Sequence, residues 1–597
     1  MNGQDGTNGM DEWDDEVDLN EHRSKTDDSE AIDFFPPNYR IGRTKYMFVT
    51  GGVMSGVGKG VFSASLGHLL KHYGFTVSQI KMDGYLNQDA GTINPYRHGE
   101  VFVLNDGTEC DMDLGTYERF LDDDLNQYNY ITSGKVYRII LDKERRGEYL
   151  GRDVQVVPHV TGEIKYLIRT KAHEGPYDII VVEIGGTVGD IENIHFIEAA
   201  REMLYDEGRD HVMFAHVTQV PYNKSAGELK SKPTQHSVKA LLQLGVQPDI
   251  IVCRSTIPLN TKIRQKISLY CNVSEKHVIS SPDTDSIYRV PTLLDQQHTA
   301  QILAANLKLN LPQRFNRSRA FDMYLNYLSR PHKTVRIAIT GKYTDLHDSY
   351  VSILNALDHS KVKLDVNLET EWIDTSEYSD GRPIKDNILD GISGIIAPGG
   401  FGERGAEGKI RFIQYAREHR IPFLGLCYGF QLAVVEFARN VCGLKNAAHT
   451  EFDEHSDMPV IYLLPEQRKL AEMGGTMRLG GHEVKIIRDT LAYKCYQAEQ
   501  VTERFRHRYE FNNDYKDAIE KQGMIFSGMT PDEEIMQILE IPDHPYFIGT
   551  QFHPELTSRP YHPQPLFQAF LQAACAYAED AKTDVPDQVT VQVGQEE

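Results

Sequence analysis

A strand-to-helix turn at residues 425–429 places the strongest constraint on how this chain can fold. The sequence of the turn is GLCYG, and it separates an apolar run, residues 421–426, from a helix-like run, residues 430–438. A cysteine between glycines at such a turn is typical of a nucleophile elbow, in which a strained backbone lifts the side chain out of a sheet. The N-terminus of the following helix favours the reactive thiolate of Cys427. A buried cysteine in an ordinary strand is the alternative that this motif alone leaves open.

Two further motifs supply chemical partners for Cys427. The segment FHPE at residues 552–555 offers His553 as a base and Glu555 as the carboxylate that orients it. The segment PGGFG at residues 398–402 follows an apolar run and offers backbone N–H groups for an oxyanion hole. Together the three motifs resemble the class I glutamine amidotransferases, which hydrolyse glutamine and release ammonia. The resemblance implies that Cys427 attacks the glutamine amide while His553 shuttles the proton.

The first half of the chain opens with a candidate phosphate-binding loop. An apolar strand, residues 46–50, runs into GGVMSGVGKG at residues 51–60, and a helix-like stretch, residues 61–73, follows. In a strand, glycine-rich loop and helix that follow one another in this way, the backbone N–H groups of the loop surround the phosphates of a nucleotide. Lys59 can reach the outer phosphates. The loop is one residue longer than the strict P-loop pattern, and Gly60 replaces the Ser or Thr that normally binds magnesium. The missing hydroxyl predicts that metal ligands come from elsewhere.

Carboxylates at the ends of predicted strands are the candidates for those ligands. Asp113 follows an apolar run, and Glu183 ends the strand-like run 178–182. Magnesium prefers such oxygen ligands near a phosphate loop, although for either residue alone a solvated loop charge is the better interpretation. The alternation of strands and helices through this half predicts a parallel, doubly wound sheet with ligands at the carboxyl ends of its strands.

Bulk composition narrows the class of protein. The chain has 597 residues, enough for at least two domains, and its formal net charge is −23. This acidity argues against a general nucleic-acid-binding protein. No apolar run reaches the length of a membrane span, the N-terminus lacks a signal-peptide pattern, and the seven cysteines show no C-x-x-C pairing. We therefore expect a cytoplasmic protein with reduced thiols that binds neither membrane nor nucleic acid.

Several motifs of the first half, taken together, resemble the CTP synthases. They are VTGG at 49–52, GKG at 58–60, KMD at 81–83, HGEVFV at 98–103, EIGGTVGDIE at 183–192 and KSKPTQ at 230–235. The resemblance extends from about Arg43 to about Pro563. It implies that ATP phosphorylates O4 of UTP and that ammonia from glutamine then displaces phosphate to give CTP. It also implies magnesium with ATP, GTP as an allosteric activator, CTP as a feedback inhibitor, and a homotetramer that can polymerise into filaments.

The resemblance assigns roles to individual residues. The set implied for ATP comprises Gly56, Val57, Gly58, Lys59, Gly60, Val61, Lys81, Asp113 and Asp283. The set implied for UTP or inhibitory CTP comprises Ser55, Asp190, Ile191, Glu192, Lys230, Lys232, Gln235 and Lys266. The set implied for glutamine comprises Gly400, Tyr428, Gln431, Glu451 and Arg508. Asp113 and Glu183 are implied as metal ligands, Arg404 as a GTP contact, and His98 as a residue near the synthetase end of an ammonia channel.

These observations predict an α/β chain of two doubly wound domains. The first is P-loop-like, similar to dethiobiotin synthetase, and the second is a class I glutamine amidotransferase domain. The predicted boundaries are a disordered acidic extension at 1–40, a synthetase domain at 41–305, a linker at 306–332, the amidotransferase domain at 333–578 and a disordered tail at 579–597.

Two other functions compete with this interpretation. A cobyrinate-type synthase combines similar halves, but KSKPTQ and the Asp190/Glu192 pair favour a pyrimidine nucleotide. A filament or scaffold protein with incidental catalysis is disfavoured by the complete set of chemical residues. Two departures from the CTP synthase pattern are Gly84, where proline is usual, and Pro282, which adjoins the expected adenine contact.

Overall fold

The computed structural model describes residues 34–583 apart from 312–318, 331, 343, 345, 380–381, 383, 385–386 and 464–476. Residues 1–33 and 584–597, which make up most of the two predicted disordered tails, lie outside the described residues. Residues 34–40 differ from that prediction because their aromatic side chains pack on the N-terminal half. The ring centroid of Phe35 lies 3.9 Å from the guanidinium carbon of Arg169, which is fully buried.

A parallel sheet forms the centre of the N-terminal half. The strands of this half are β1 (Lys45–Gly51), β2 (Val77–Asp83), β3 (Val101–Val103), β4 (Glu109–Asp111), β5 (Tyr130–Thr132), β6 (Ile179–Ile184), β7 (Val212–Gln219), β8 (Tyr222–Asn223), β9 (Glu228–Leu229), β10 (Ile250–Ser255) and β11 (Val278–Pro282). The parallel sheet has the order β11-β10-β7-β1-β6-β2-β5, while β3 with β4 and β8 with β9 form short antiparallel hairpins.

Helices cover both faces of this sheet. Successive side chains of a strand point to opposite faces, and in β1 Met47 and Val49 enter one hydrophobic core while Tyr46 and Phe48 enter another. A strand that is apolar on both faces requires a layer on each side, which confirms the predicted doubly wound arrangement. The helices of this half are α1 (Lys59–His72), α2 (Pro95–His98), α3 (Met112–Leu121), α4 (Ser133–Arg145), α5 (Thr161–Glu174), α6 (Ile194–Glu207), α7 (Lys232–Gln243), α8 (Thr261–Cys271), α9 (Val290–Gln296) and α10 (Thr299–Asn306).

The C-terminal half is built on a second, mixed sheet. Its helices are α11 (Arg319–Tyr327), α12 (Val351–Leu364), α13 (Ala406–Glu418), α14 (Tyr428–Asn440), α15 (Leu491–Tyr496), α16 (Lys516–Glu520) and α17 (Pro565–Thr583). Its strands are β12 (Lys333–Gly341), β13 (Val366–Asp374), β14 (Gly394–Ala397), β15 (Phe423–Leu426), β16 (Ala447–His449), β17 (Met458–Leu463), β18 (Arg478–Ile486), β19 (Gln500–His507), β20 (Tyr509–Phe511), β21 (Ile525–Met529), β22 (Met536–Glu540) and β23 (Phe547–Thr550).

The order of the second sheet places its functional motifs on adjacent strands. The order is β13-β12-β14-β15-β23-β22-β21-β18-β19, and the strands from β13 to β23 run parallel. Because parallel strands end at the same edge, the segments after β14, β15 and β23 meet there. A smaller sheet, β16-β17-β20, lies beside it. This arrangement confirms the second predicted α/β domain, while the residue boundaries of the domains and linker stay predictions.

Buried ion pairs join the two halves of the chain. Arg504 on β19 lies with Nη1 2.8 Å from Oε2 of Glu118 on α3, and both side chains are almost fully buried. The Nε of Arg504 donates to Oδ1 of Asn105 at 2.7 Å. Two positions further along the same strand, Nε of Arg506 donates to Oε1 of Glu109 at 2.7 Å. Strand β19 of the C-terminal half therefore binds the β3–β4 hairpin and helix α3 of the N-terminal half.

Replacing Arg504 with methionine should destabilise the protein by about 3–5 kcal/mol, because it leaves the carboxylate of Glu118 buried without its main partner. The free energy of unfolding from chemical denaturation measures this loss. The control is Arg488→Met, which removes an exposed partner of Glu499 and should change the unfolding free energy little. Equal effects of the two substitutions would contradict the importance of the buried pair.

Candidate active site

Cys427 lies between the end of β15 and the start of α14, where the elbow motif predicts it. Its backbone has a φ of 49° and a ψ of −96°, a positive-φ conformation that is strained for any residue other than glycine. Gly429 permits this turn, because a Cβ there would lie 2.1 Å from the carbonyl oxygen of Ala397 on β14. The strained turn thus presents Cys427 at the carboxyl edge of the parallel strands.

His553 and Glu555 follow β23, the strand next to β15, and so reach the same edge. The Nδ1 of His553 lies 2.8 Å from Oε1 of Glu555. Burial opposes protonation of the imidazole, but Glu555 and Cys427 together raise the pKa of His553 well above its ordinary value. The glycine-rich turn packs directly on this pair, since a Cβ on Gly399 would lie 2.9 Å from Cε1 of His553. The arrangement can hold a cysteine–histidine proton-transfer pair with an orienting carboxylate.

A cavity of about 400 Å³ opens in front of the cysteine. Among the residues predicted to bind glutamine, Gly400, Glu451 and Arg508 line it beside Cys427 and His553. The side chains of the other two, Gln431 and Tyr428, are held by hydrogen bonds to neighbouring main-chain carbonyls. The Nε2 of Gln431 donates to the carbonyl oxygen of Tyr509 at 2.8 Å, and the hydroxyl of Tyr428 donates to the carbonyl oxygen of Gly402 at 2.8 Å.

The N-terminal half completes this cavity. Residues Gly91, Thr92, Ile93, Pro95, Glu100 and Val101 form the wall opposite the cysteine. The backbone N–H of Ser352 on α12 donates to Oε2 of Glu100 at 3.2 Å, so the carboxyl joins the two halves. Burial is the main cause that raises the pKa of Glu100 to about 7, and the hydrogen bond from Ser352 opposes it. His98, which ends α2, packs its ring on Tyr85 near this wall, with 5.8 Å between ring centroids.

Glu100 should make the stability of the protein depend on pH. Between the pKa of an unfolded glutamate, about 4.3, and the folded value of about 7, the folded chain keeps a proton that the unfolded chain releases. Its contribution to stability therefore falls as pH rises through this window. Glu100→Gln should remove this fall. The unfolding free energy of the variant minus that of the parent should therefore rise by about 2 kcal/mol from pH 5 to pH 8. The exposed Glu454→Gln is the control, and an equal gain there would refute the assignment.

The phosphate-loop candidate leads from β1 into α1. Gly56 and Gly58 both adopt positive φ, and Gly58 precedes the first residue of α1. The Nζ of Lys59 donates to the carbonyl oxygen of Gly186 at 2.6 Å, and burial is the main cause that lowers its pKa. A Cβ on Gly60 would lie 2.2 Å from Oδ1 of Asp113. Glycine therefore replaces the usual Ser or Thr because the carboxylate of Asp113 occupies the space of that hydroxyl.

Carboxylates from three strand ends surround Lys81. Its ammonium contacts Asp113, lies 3.1 Å from Oε1 of Glu183, and lies 3.9 Å from Oδ1 of Asp83. Burial opposes the charge of Lys81, but Asp113 and Glu183 raise its pKa well above the ordinary value. Because Asp113 and Glu183 converge on one cation, they fit a magnesium ion that takes its remaining ligands from phosphates and water. A closed site of three or more protein ligands is absent from the described residues.

Six of the residues predicted to bind the pyrimidine nucleotide lie in two segments that each touch the phosphate loop, and Ser55 lies in that loop itself. In the first, which contains Asp190, Ile191 and Glu192, the N–H of Val188 donates to the carbonyl oxygen of Gly51 at 2.8 Å. The second contains Lys230, Lys232 and Gln235, and helix α7 that follows it reaches the loop through Ser237, whose Oγ would lie 1.5 Å from a Cβ on Gly52. Lys266 lies on α8, beside this second segment.

The structure also explains one departure from the family pattern and adds residues that the motifs missed. A Cβ on Gly84 would lie 2.7 Å from the carbonyl oxygen of Glu192, so this position has no room for proline. Arg254 is the next-to-last residue of β10 and lies beside Gly58, and its Nη2 lies 2.8 Å from Oδ1 of Asp283. The position of Arg254 near the end of an apolar strand is the feature of the sequence that could have marked it as a candidate site residue. No feature of the sequence marks His216, whose buried ring is hydrogen-bonded to Ser237 Oγ at 2.7 Å.

Arg404, the predicted GTP contact, lies where the two halves meet. Its Nη2 donates to the carbonyl oxygen of Lys342 at 2.9 Å and lies 3.3 Å from the hydroxyl of Tyr96 in the N-terminal half. The same Tyr96 hydroxyl donates to the carbonyl oxygen of Lys342 at 2.6 Å. The Arg404 side chain therefore contacts both halves of the chain.

Comparisons with known proteins cover nearly the whole chain. The family model described as CTP synthase N-terminus matches residues 45–309, and that described as glutamine amidotransferase class-I matches residues 345–573. The CTP synthase of Pyrococcus furiosus is 54% identical over 538 residues, which are 90% of this chain and 99% of that relative. That of Caldanaerobacter subterraneus subsp. tengcongensis is 51% identical over 529 residues, or 89% of this chain and 98% of the relative. A solved structure of the Trypanosoma brucei CTPS glutaminase domain with bound acivicin is 34% identical, covers 40% of this chain and 94% of its own, and superposes with a TM-score of 0.37.

The Cys427, His553 and Glu555 arrangement and the match to the class-I glutamine amidotransferase model together define a glutamine amidotransferase domain, which is joined to a second α/β domain. The family match over the N-terminal half and the identity of more than 50% over about nine-tenths of the chain specify the synthetase. The chain belongs to the CTP synthase family. Among the described residues, no helix is both long enough and apolar enough to cross a bilayer.

Proposed function

We propose that this chain synthesises CTP from UTP and ATP with ammonia that it releases from glutamine. The observation that carries the proposal is the shared cavity: Cys427 and His553 face it from one half, and residues 91–101 of the half with the phosphate loop close it. Ammonia formed at the cysteine is thus released next to the synthetase half. The two relatives described above, which match about nine-tenths of this chain, are CTP synthases.

Glutamine hydrolysis begins with attack of the Cys427 thiolate on the side-chain amide carbon. The protonated His553 donates its proton to the leaving nitrogen, which departs as ammonia and leaves a thioester. Neutral His553 then takes a proton from a water molecule whose oxygen attacks the thioester carbon, the carbon–sulfur bond breaks, and glutamate leaves with the Cys427 thiolate restored, while Glu555 keeps the imidazole oriented. The backbone N–H groups of Gly400 and Tyr428 stabilise the oxyanion. Gln431, Glu451 and Arg508 secure the amino-acid end of glutamine.

CTP synthesis in the other half uses the phosphate loop. O4 of UTP attacks the γ-phosphorus of ATP, ADP leaves, and ammonia then displaces phosphate from C4. The ammonium groups of Lys59 and Lys81 stabilise the charge that develops on the transferring phosphoryl group. Asp113 and Glu183 would hold a magnesium ion, which would supply further neutralisation of the phosphate charge.

The nucleotide contacts and the assembly belong to the same proposal. The loop from Gly56 to Val61 and Asp283 bind ATP, and the two segments beside the loop bind UTP or inhibitory CTP. GTP activates at Arg404, and ammonia passes His98 on its way to the second site. The chain acts in the cytoplasm as a homotetramer that can polymerise into filaments.

The deciding experiment measures CTP formation by the purified chain with UTP, ATP and magnesium. Glutamine or ammonium is the nitrogen source, and GTP is added in parallel samples. Activity with both sources supports the proposal, and stimulation of the glutamine reaction alone by GTP supports the activator site. A folded chain that forms no CTP from either source would refute it.

A further inference from the structure

Two lysines hold the ends of the glycine-rich turn that faces Cys427. Lys409 on α13 is 3% exposed, and its Nζ donates to the carbonyl oxygen of Pro398 at 2.7 Å. Lys342, just after β12, donates from its Nζ to the carbonyl oxygen of Phe401. Gly399 and Gly400 lie between these two anchored carbonyls. Main-chain carbonyl oxygens of the turn thus accept hydrogen bonds from both lysines.

The burial of Lys409 is costly. A lysine removed from water without a carboxylate partner loses hydration that one hydrogen bond to a carbonyl only partly replaces. Burial is the main cause that lowers the pKa of Lys409 to about 7, Lys342 acts in the same direction, and Cys427 opposes both. An apolar side chain would fill this position at a lower cost. The lysine is therefore a candidate for a functional role.

Lys409 also contacts the segment that carries the nucleophile. Its Nζ lies 5.3 Å from the ring centroid of Tyr428, the residue after Cys427. A Cβ on Gly400 would lie 3.6 Å from Cδ1 of the same ring, so the turn and the elbow pack together there. One buried cation thus touches both segments whose N–H groups are the candidate oxyanion donors.

We propose that Lys409 is a positioning residue for glutamine hydrolysis, which holds the Pro398 carbonyl and the Tyr428 ring so that the N–H groups of Gly400 and Tyr428 converge on the oxyanion. The inference rests on the proposed function, because it concerns the glutaminase half of that reaction. Lys409 lies outside the cavity lining and acts through these two segments. Its contribution should appear mainly in the transition state, where the oxyanion develops.

The test replaces Lys409 with methionine, which has similar length and no donor. The kcat for glutamate release should fall about 10-fold or more while KM for glutamine stays within about 2-fold, since donors that act only in the transition state affect kcat. CTP formation from ammonium should not change. Lys135→Met is the matched control, because Lys135 donates to the carbonyl oxygens of Gln127 and Tyr130 in the other half and should leave the glutaminase constants unchanged.

Three results would overturn the inference. They are an unchanged kcat, a raised KM with unchanged kcat, and an equal loss of activity with glutamine and with ammonium. Should Lys409→Met fail to fold, Lys409→Gln is measured with the same expectation. The side chain of glutamine is one atom shorter than that of lysine, so its amide nitrogen does not reach the Pro398 carbonyl as the Nζ of Lys409 does. A parent chain that releases glutamate but makes no CTP from either nitrogen source would refute the proposed function and leave this inference standing.

Discussion

Replacing Cys427 with alanine should abolish CTP formation from glutamine and leave CTP formation from ammonium within about 2-fold of the parent. The expected loss is at least about 10⁴-fold, because removal of a covalent nucleophile leaves only binding and oxyanion stabilisation. The ammonium reaction survives because Lys59, Lys81 and the phosphate loop lie in the other half of the chain. CTP formation with each nitrogen source, measured at saturating UTP and ATP, checks both statements.

The matched control is Cys442→Ala, which removes a partly buried thiol whose Sγ lies 3.7 Å from the carbonyl oxygen of Ala518. It should retain both activities. Glutamine-driven synthesis that persists in Cys427→Ala would remove the cysteine from the mechanism. Loss of the ammonium reaction as well would mean that the two sites do not work separately.

Lys59→Met should impair CTP synthesis and spare glutamine hydrolysis. CTP formation should fall by about 10²–10³-fold with either nitrogen source, because the variant lacks a buried ammonium group beside the transferring phosphoryl group. Glutamate release should continue, since Cys427 and His553 are untouched. Separate assays of CTP and glutamate on the same sample measure the two outcomes.

Lys45→Met is the control for Lys59, because Lys45 begins the strand that leads to the loop and its Nζ donates to the carbonyl oxygen of Asp210 at 2.9 Å. It should keep both activities. If Lys59→Met made CTP from ammonium at the parent rate, the proposed role of the loop in phosphoryl transfer would be wrong.

The local motifs were predictable because each one depends on its own backbone. The elbow at Cys427 needs Gly429 and a helix directly after a strand, and both requirements are visible in neighbouring residues. The loop at residues 51–60 is similar. The absent hydroxyl at Gly60 predicted that metal ligands come from elsewhere, which stays a prediction, while the structure places Asp113 next to this glycine. The parallel strands that bring Cys427 and His553 together follow from the alternation of apolar runs.

Contacts between distant parts of the chain were not predictable in this way. The pair Arg504–Glu118 joins residues that are 386 positions apart, and no periodicity in either segment marks them as partners. Lys409 lies within a helix of ordinary amphipathic composition, where a lysine normally faces water. Only the packing of that helix on the glycine-rich turn shows that this lysine points inward.

The shared cavity has a consequence for the evolution of the gene. Its wall at residues 91–101 and its nucleophile at Cys427 are encoded far apart, yet residues of both halves line it. A gene fission between the halves would release the product into the cell, where most of it would be protonated, until the two polypeptides found each other. Selection for nitrogen economy therefore favours keeping both reading frames joined.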